Sequence, residues 1–143
     1  MIEQGARLFG TLVVAVGVNS NKRPTFSLGE RLQMLKVITK HFKNVKITSY
    51  SDEYLVRYAL RMKASHVLRG IRSAQDFAYE QTLRHINSDM DKNITTVFLT
   101  PPRILGETSS AIVKSMIGPV GWQQVIETMV PKGVAKALPA KFG

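Results

Sequence analysis

Short apolar runs separated by stretches with helical spacing dominate the chain, and this alternation constrains its fold more than any other feature. Thr11-Leu12-Val13-Val14-Ala15-Val16-Gly17-Val18 is nearly continuous in apolar character, the pattern of a strand covered on both faces. Asn44–Ser49 follows as a short strand with Val45 and Ile47 alternating, then Ser65–Leu68 and Ile94–Leu99. Pro101 and Pro102 close the last of these, because proline cannot donate to a ladder. Between the strands lie helical segments. One opens at Ser27-Leu28-Gly29-Glu30, a capping-box spacing, and continues through Leu28, Leu32, Leu35 and Ile38. A second spans Asp52–Met62. A third runs from about Ser73, with Asp76 three residues on, to about Ser88. Thr108–Ile117, Gly121–Thr128 and Pro131–Leu138 read as shorter helices. Strand-helix alternation of this kind predicts an α/β domain with a parallel sheet and right-handed crossovers. Ligands are expected beyond the carboxyl ends of the strands.

The 143 residues suit one domain, 1–143. Lysine and arginine number 20 against 10 acidic residues, a formal charge of +10. The basic residues are scattered along the chain and not interleaved with aromatics, so nucleic acid is not the expected partner. Cysteine is absent, which excludes disulfides, thiolate metal sites and cysteine nucleophiles. His41, His66 and His85 form no metal-spaced pair, and no metal site is expected from them. No signal peptide is read ahead of the fold, and the apolar runs are too short to cross a membrane.

Three polar clusters fall at the strand ends. The first is the Asn19–Thr25 loop, where Lys22 is either a phosphoryl contact or an ordinary surface lysine. The second is Arg69-Gly70-Ile71-Arg72, directly after an apolar strand. Guanidinium groups there must meet an anion or water, because an unpaired buried charge is costly. Ligand phosphate and internal salt bridges to Asp76 or Glu80 are both open. A guanidinium facing a ligand from this loop is expected to add little to the core. The third cluster is Thr108-Ser109-Ser110, with Lys114 one turn on. N-capping uses one hydroxyl, and the surplus suits phosphate. Glu80, Leu83 and Asn87 share one helical face, which either lines a pocket or is solvated around one core leucine. Trp122 is expected to pack against the C-terminal helices.

These clusters, in this order, resemble the phosphopantetheine adenylyltransferase family of coenzyme A biosynthesis. Asn19 to Arg31 is similar to its lysine loop and following helix. Arg69-Gly70-Ile71-Arg72 with Asp76-Phe77-Ala78-Tyr79-Glu80 is similar to its most specific motif, and Thr96–Leu99 with Thr108-Ser109-Ser110 to its last strand and phosphate turn. The resemblance implies a Rossmann-like nucleotidyltransferase fold and adenylyl transfer from ATP to 4′-phosphopantetheine, giving dephospho-coenzyme A and pyrophosphate. It implies Mg²⁺ with ATP as the metal requirement, a cytoplasmic location and a hexameric assembly. Lys22 would touch the transferring phosphoryl group and the acceptor phosphate, and Arg69 the acceptor phosphate. Arg72 would act on the ATP phosphates, with Lys22 and Arg72 the catalytic pair. Gly70, Asp76, Glu80, Thr108, Ser109 and Ser110 would form the nucleotide site, and Tyr54, Leu55, Leu83 and Asn87 the pantetheine pocket. A catalytically inactive nucleotide or coenzyme A binding protein is the alternative.

The family's first strand, its Gly-Ser/Thr-Phe-Asp-Pro turn and its His-x-Gly-His motif do not occur in residues 1–143. In the family that strand is central, between the counterparts of Thr11–Val18 and Ser65–Leu68. The expectation is therefore a sheet without its central strand, two ladder edges without their shared partner, and weak catalysis by residues 1–143 alone. An N-terminal segment carrying that strand is expected to belong to the working enzyme. Met1–Phe9 resembles the helix that follows the histidine motif.

Overall fold

The computed structural model describes residues 1–19 and 23–142. β1 (Leu12–Gly17) and β2 (Val45–Tyr50) pair in parallel, Leu12 opposite Val45 and Gly17 opposite Tyr50. β3 (His66–Gly70) and β4 (Thr95–Leu99) form a second parallel pair, His66 opposite Thr95 and Gly70 opposite Leu99. Among the described residues no ladder joins the two pairs. The helices are α1 (Ile2–Leu8), α2 (Leu28–Thr39), α3 (Leu55–Arg61), α4 (Ala74–Met90), α5 (Arg103–Gly106), α6 (Ser110–Ser115), α7 (Trp122–Glu127), α8 (Lys132–Ala137) and α9 (Pro139–Phe142). None of them is long and apolar enough to cross a membrane.

Local chemistry accounts for the starts of α2 and α4. Ser27 Oγ accepts the Glu30 N–H at 3.3 Å while the Glu30 carboxylate accepts the Ser27 N–H at 2.7 Å, a complete capping box at α2. Ser73 caps α4 by accepting the Asp76 N–H at 3.1 Å. α3 begins later than its sequence pattern suggests, at Leu55 and not Asp52. Asp52 has φ +57°, a left-handed conformation that aspartate tolerates in a turn but that cannot continue a right-handed helix.

α1 crosses both strand pairs. A Cβ added at Gly5 would lie 2.9 Å from Leu68 Cδ2 of β3 and 3.1 Å from Leu12 Cδ2 of β1, so glycine permits the helix to settle on both leucines at once. The Asn44 side-chain amide donates to the carbonyls of Ala6 and Phe9 at 2.7 and 2.9 Å. These bonds satisfy carbonyls at the end of α1 and fix it to the entry of β2.

Two apolar clusters hold the chain together. Val56, Ala59, Val67 and Ile94 pack α3 against β3 and the approach to β4. Val113, Ile126, Ala135 and Leu138 form the other, joined by Phe26, Ile117, Trp122, Val130 and Val134. Trp122 is thus a packing residue of the C-terminal helices, as its sequence setting suggests. β1 departs from expectation. Only Val16 is buried and Leu12–Ala15 are half-buried, because one edge of the strand borders a cavity and has no neighbouring strand among the described residues.

α9 is tied back to the start of α2. Lys141 Nζ lies 2.8 Å from Glu30 Oε1 and 5.8 Å from the centre of the Phe26 ring. The Lys141 hydrogen bond, with those from the Ser27 N–H and hydroxyl, lowers the Glu30 pKa from 4.5 to about 2. A carboxylate depressed in the folded state contributes stability that is complete above its unfolded pKa and is lost as pH falls through the folded one. Stability is therefore expected to decline between pH 4.5 and about 2, with faster amide exchange in α9. Glu30→Gln should remove that part of the pH dependence, and an unchanged acid profile in the variant would show that Glu30 does not carry it.

Candidate active site

A cavity of about 930 Å³ opens where β1 ends at Gly17. Its rim combines Val18, Asn19, Arg23, Thr25 and Arg31 from the β1–α2 region with Thr108, Ser109, Ser110 and Lys114 around α6. Its apolar wall is Phe26, Val113, Val130, Val134 and Leu138, much of it the C-terminal apolar cluster. The wall is therefore only as firm as the packing of α6–α8.

The polar chemistry of the rim is one-sided. Among the described residues, Arg23, Arg31 and Lys114 take part in no ion pair. Ser109 accepts the Ile112 N–H at 3.2 Å and so caps α6. The hydroxyls of Thr108 and Ser110 carry no hydrogen bond among the described residues. Three cations and two hydroxyls line one cavity, a donor set whose chemistry suits phosphate oxygens. Of the three hydroxyls, only that of Ser109 is engaged in capping.

The arginine motif stands beside this rim. Arg72 donates from Nε to Asp76 Oδ2 at 2.9 Å and from its backbone N–H at 3.1 Å. Its Nη1 lies 3.5 Å from the Thr108 carbonyl, a long contact that brings the arginine loop to the hydroxyl turn. The Arg72 guanidinium, then the Arg72 N–H, hold the Asp76 carboxyl below its ordinary range. Asp76 is thus an internal partner of Arg72 and does not complete a capping box. Gly70 sits against the Met1 side chain, which a Cβ would meet at 3.3 Å.

Arg69 lies within β3 and not in the loop, and its guanidinium forms a two-pronged pair with Glu80 of α4. Nε meets Oε2 at 2.7 Å and Nη2 meets Oε1 at 2.5 Å. The Glu80 side chain is 11% exposed and that of Arg69 is 35%. The Glu80 hydrogen bonds raise the Arg69 pKa further. Arg69 therefore contributes to the fold, a correction to the expectation that it adds little. Of the two alternatives open for these arginines, the internal carboxylates are engaged in this structure.

A second cavity, of about 330 Å³, contains Arg69 and Leu55 in its lining, so these two of the acceptor-site residues are brought together. Tyr54 is 66% exposed and lines neither cavity. Leu83 and Asn87, both half-buried on α4, also line neither. Lys22 lies outside the described residues. Arg31 was not singled out in the sequence, although its spacing from Leu28 places both on one face of α2, and both line the larger cavity.

Residues 1–115 match a family described as cytidylyltransferase-like. A protein of Neisseria meningitidis serogroup C (strain 053442) named phosphopantetheine adenylyltransferase is 45% identical over 141 residues, covering 99% of this chain and 83% of its own length. Proteins of the same name from Chromobacterium violaceum and Caldanaerobacter subterraneus subsp. tengcongensis are 44% and 38% identical, covering 96% and 99% of this chain and 84% and 86% of their own lengths. With a Rossmann-like α/β architecture, a cavity rimmed by cations at a strand end and relatives of one name along nearly its whole length, the chain belongs to the phosphopantetheine adenylyltransferase family.

Proposed function

We propose that this protein transfers an adenylyl group from ATP to 4′-phosphopantetheine, releasing pyrophosphate. The observation that carries the reading is the approach of the arginine loop to the hydroxyl turn, with Arg72 Nη1 3.5 Å from the Thr108 carbonyl. One element, the rim of Arg23, Arg31, Lys114 and the Thr108–Ser110 hydroxyls, suits a triphosphate. The other, around Arg69, suits the phosphate of the acceptor.

In the reaction an acceptor phosphate oxygen bonds to the α-phosphorus of ATP, and the bond from that phosphorus to the bridging oxygen of pyrophosphate breaks. No covalent enzyme intermediate is needed. Holding two mutually repelling anions in line supplies proximity, and fixed cations offset the charge that builds on the equatorial and leaving oxygens. Arg72 is placed for the second task because its guanidinium is oriented by Asp76. Arg69 is placed for the first and would exchange part of its contact with Glu80 for phosphate oxygens. Lys22, by the family resemblance, would join both. The donors on the rim are cations and hydroxyls, which suit phosphate oxygens and not a bare divalent ion. Mg²⁺ is accordingly assigned to the MgATP substrate.

Dephospho-coenzyme A carries both halves in one molecule and is expected to displace both ATP and 4′-phosphopantetheine in competition calorimetry. Displacement of neither, with no pyrophosphate formed when both substrates are supplied, would overturn the reading. Binding of both without any pyrophosphate, in a verified full-length protein, would instead support the inactive binding protein. Arg72→Ala should weaken ATP about ten- to a hundredfold, the scale of lost charge-assisted hydrogen bonds, with little effect on 4′-phosphopantetheine. Equal ATP affinity in the variant would remove Arg72 from the nucleotide site.

A further inference from the structure

We infer that Lys141 is a positioning residue of the larger cavity, acting through Glu30 and Phe26 to hold the start of α2 against α8. The inference rests on the proposed reading of that cavity as the ATP site. Two of its sides come from distant parts of the chain. Phe26, Leu28 and Arg31 belong to the start of α2, whereas Val134 and Leu138 belong to α8 and its end. Among the described residues one ion pair crosses this seam, from Lys141 Nζ to Glu30 Oε1 at 2.8 Å. The same ammonium stands 5.8 Å from the centre of the Phe26 ring, within reach of its negative face.

Each end of the pair is a short link away from the cavity. The Lys141 backbone N–H bonds to the Leu138 carbonyl at 2.9 Å, and Leu138 is buried and lines the cavity. Glu30 accepts the Ser27 N–H at 2.7 Å through its other oxygen, and the Arg31 N–H bonds to the Ser27 carbonyl at 3.0 Å. Ser27 stands between Phe26 and Leu28, both of which line the cavity. The carboxylate thus gives one oxygen to the helix start and the other to the lysine. With its pKa lowered to about 2, it is ionised at neutral pH. Neither Lys141 nor Glu30 lines the cavity, so the pair acts on it from behind. The two side chains are 33% and 39% exposed, and a pair this exposed adds little to global stability. What it fixes is a spacing. A ligand that meets the α2 side and the α8 side together binds best when their separation is already set.

The test is calorimetry of the full-length enzyme with ATP and with 4′-phosphopantetheine, beside kcat, the KM for each substrate and thermal melting. Lys141→Met keeps an apolar stem over Phe26 and loses the charge. It should weaken ATP about two- to fivefold in Kd and KM, the scale of an exposed ion pair. Affinity for 4′-phosphopantetheine, kcat and Tm should stay nearly as they are. Lys141→Arg, which can still reach the carboxylate and the ring, should keep wild-type ATP affinity. Glu30→Gln retains a capping side chain and should weaken ATP by the same factor as Lys141→Met, while the double variant should lose no more than either one. Lys136→Met removes the same charge from an exposed lysine of α8 that is in no ion pair among the described residues, and should leave ATP affinity unchanged. An equal loss in Lys136→Met would make the effect one of net charge and overturn the inference. Wild-type ATP affinity in Lys141→Met would overturn it too, as would a double variant that loses the product of both factors. A wild-type enzyme that binds no ATP would overturn the reading of the cavity itself, and this inference with it.

Discussion

Reversing the charge at Arg69 is expected to unfold part of the protein population as well as abolish acceptor binding. The carboxylate of Arg69→Glu would face Glu80, whose side chain is 11% exposed, and two like charges would replace a two-pronged pair. Breaking a buried pair from one side costs about 3–5 kcal/mol and an exposed one about 1 or less. With Arg69 itself 35% exposed, the loss is expected between these limits, about 2–4 kcal/mol. Urea unfolding checks the stability, and calorimetry with 4′-phosphopantetheine checks the site. The double variant Arg69→Glu with Glu80→Arg should recover most of the stability, since the pair is remade. It should not recover acceptor binding, because the guanidinium then stands on α4. Recovery of both would place the acceptor phosphate away from Arg69.

The second large effect is expected at Ile126, which is fully buried among Val113, Ala135 and Leu138. Ile126→Ala should cost about 3–4 kcal/mol through lost burial and the cavity left behind. That is a large share of a typical total of about 5–15 kcal/mol. ATP affinity should fall as well, because Val113 and Leu138 belong both to this cluster and to the wall of the larger cavity. Val125→Ala, at a position 49% exposed, should change stability by only about 0.5 kcal/mol or less. If Ile126→Ala lost stability but kept full ATP affinity under native conditions, the C-terminal helices would not be the wall of the nucleotide site.

The sequence was most legible where a structural decision is local. Ser27 with Glu30, and Ser73 with Asp76, are three residues apart, and both serines cap the helices expected of them. The four strands were readable from apolar runs bounded by polar loops. The alternatives for Arg69 and Arg72 were readable too, since Asp76 and Glu80 lie close enough along α4 to be named as partners. What could not be read was convergence. Arg23, Arg31 and Lys114 meet at one cavity only because α2 and α6 are brought together in space. Val130, Val134 and Leu138 give no local sign of backing the cavity that these cations rim. α5 is four residues long, too short to leave a periodic signature. The half-burial of β1 reflects the cavity along one of its edges, which no property of Leu12–Gly17 itself could report.

Gly5 links these halves in a way that genetics could use. Its α-carbon is the point where one helix touches a leucine from each strand pair, with room for hydrogen but not for a methyl group unless Leu12 or Leu68 gives way. Any event that changes the separation of β1 and β3 also changes how much space position 5 offers. Gly5→Ala is then a gauge of sheet width, harmful when the two leucines stand close and tolerated when they draw apart. Trimming either leucine, Leu12→Val or Leu68→Val, should act as a suppressor of Gly5→Ala, so the seam of the molecule could be mapped by growth of paired variants without determining another structure.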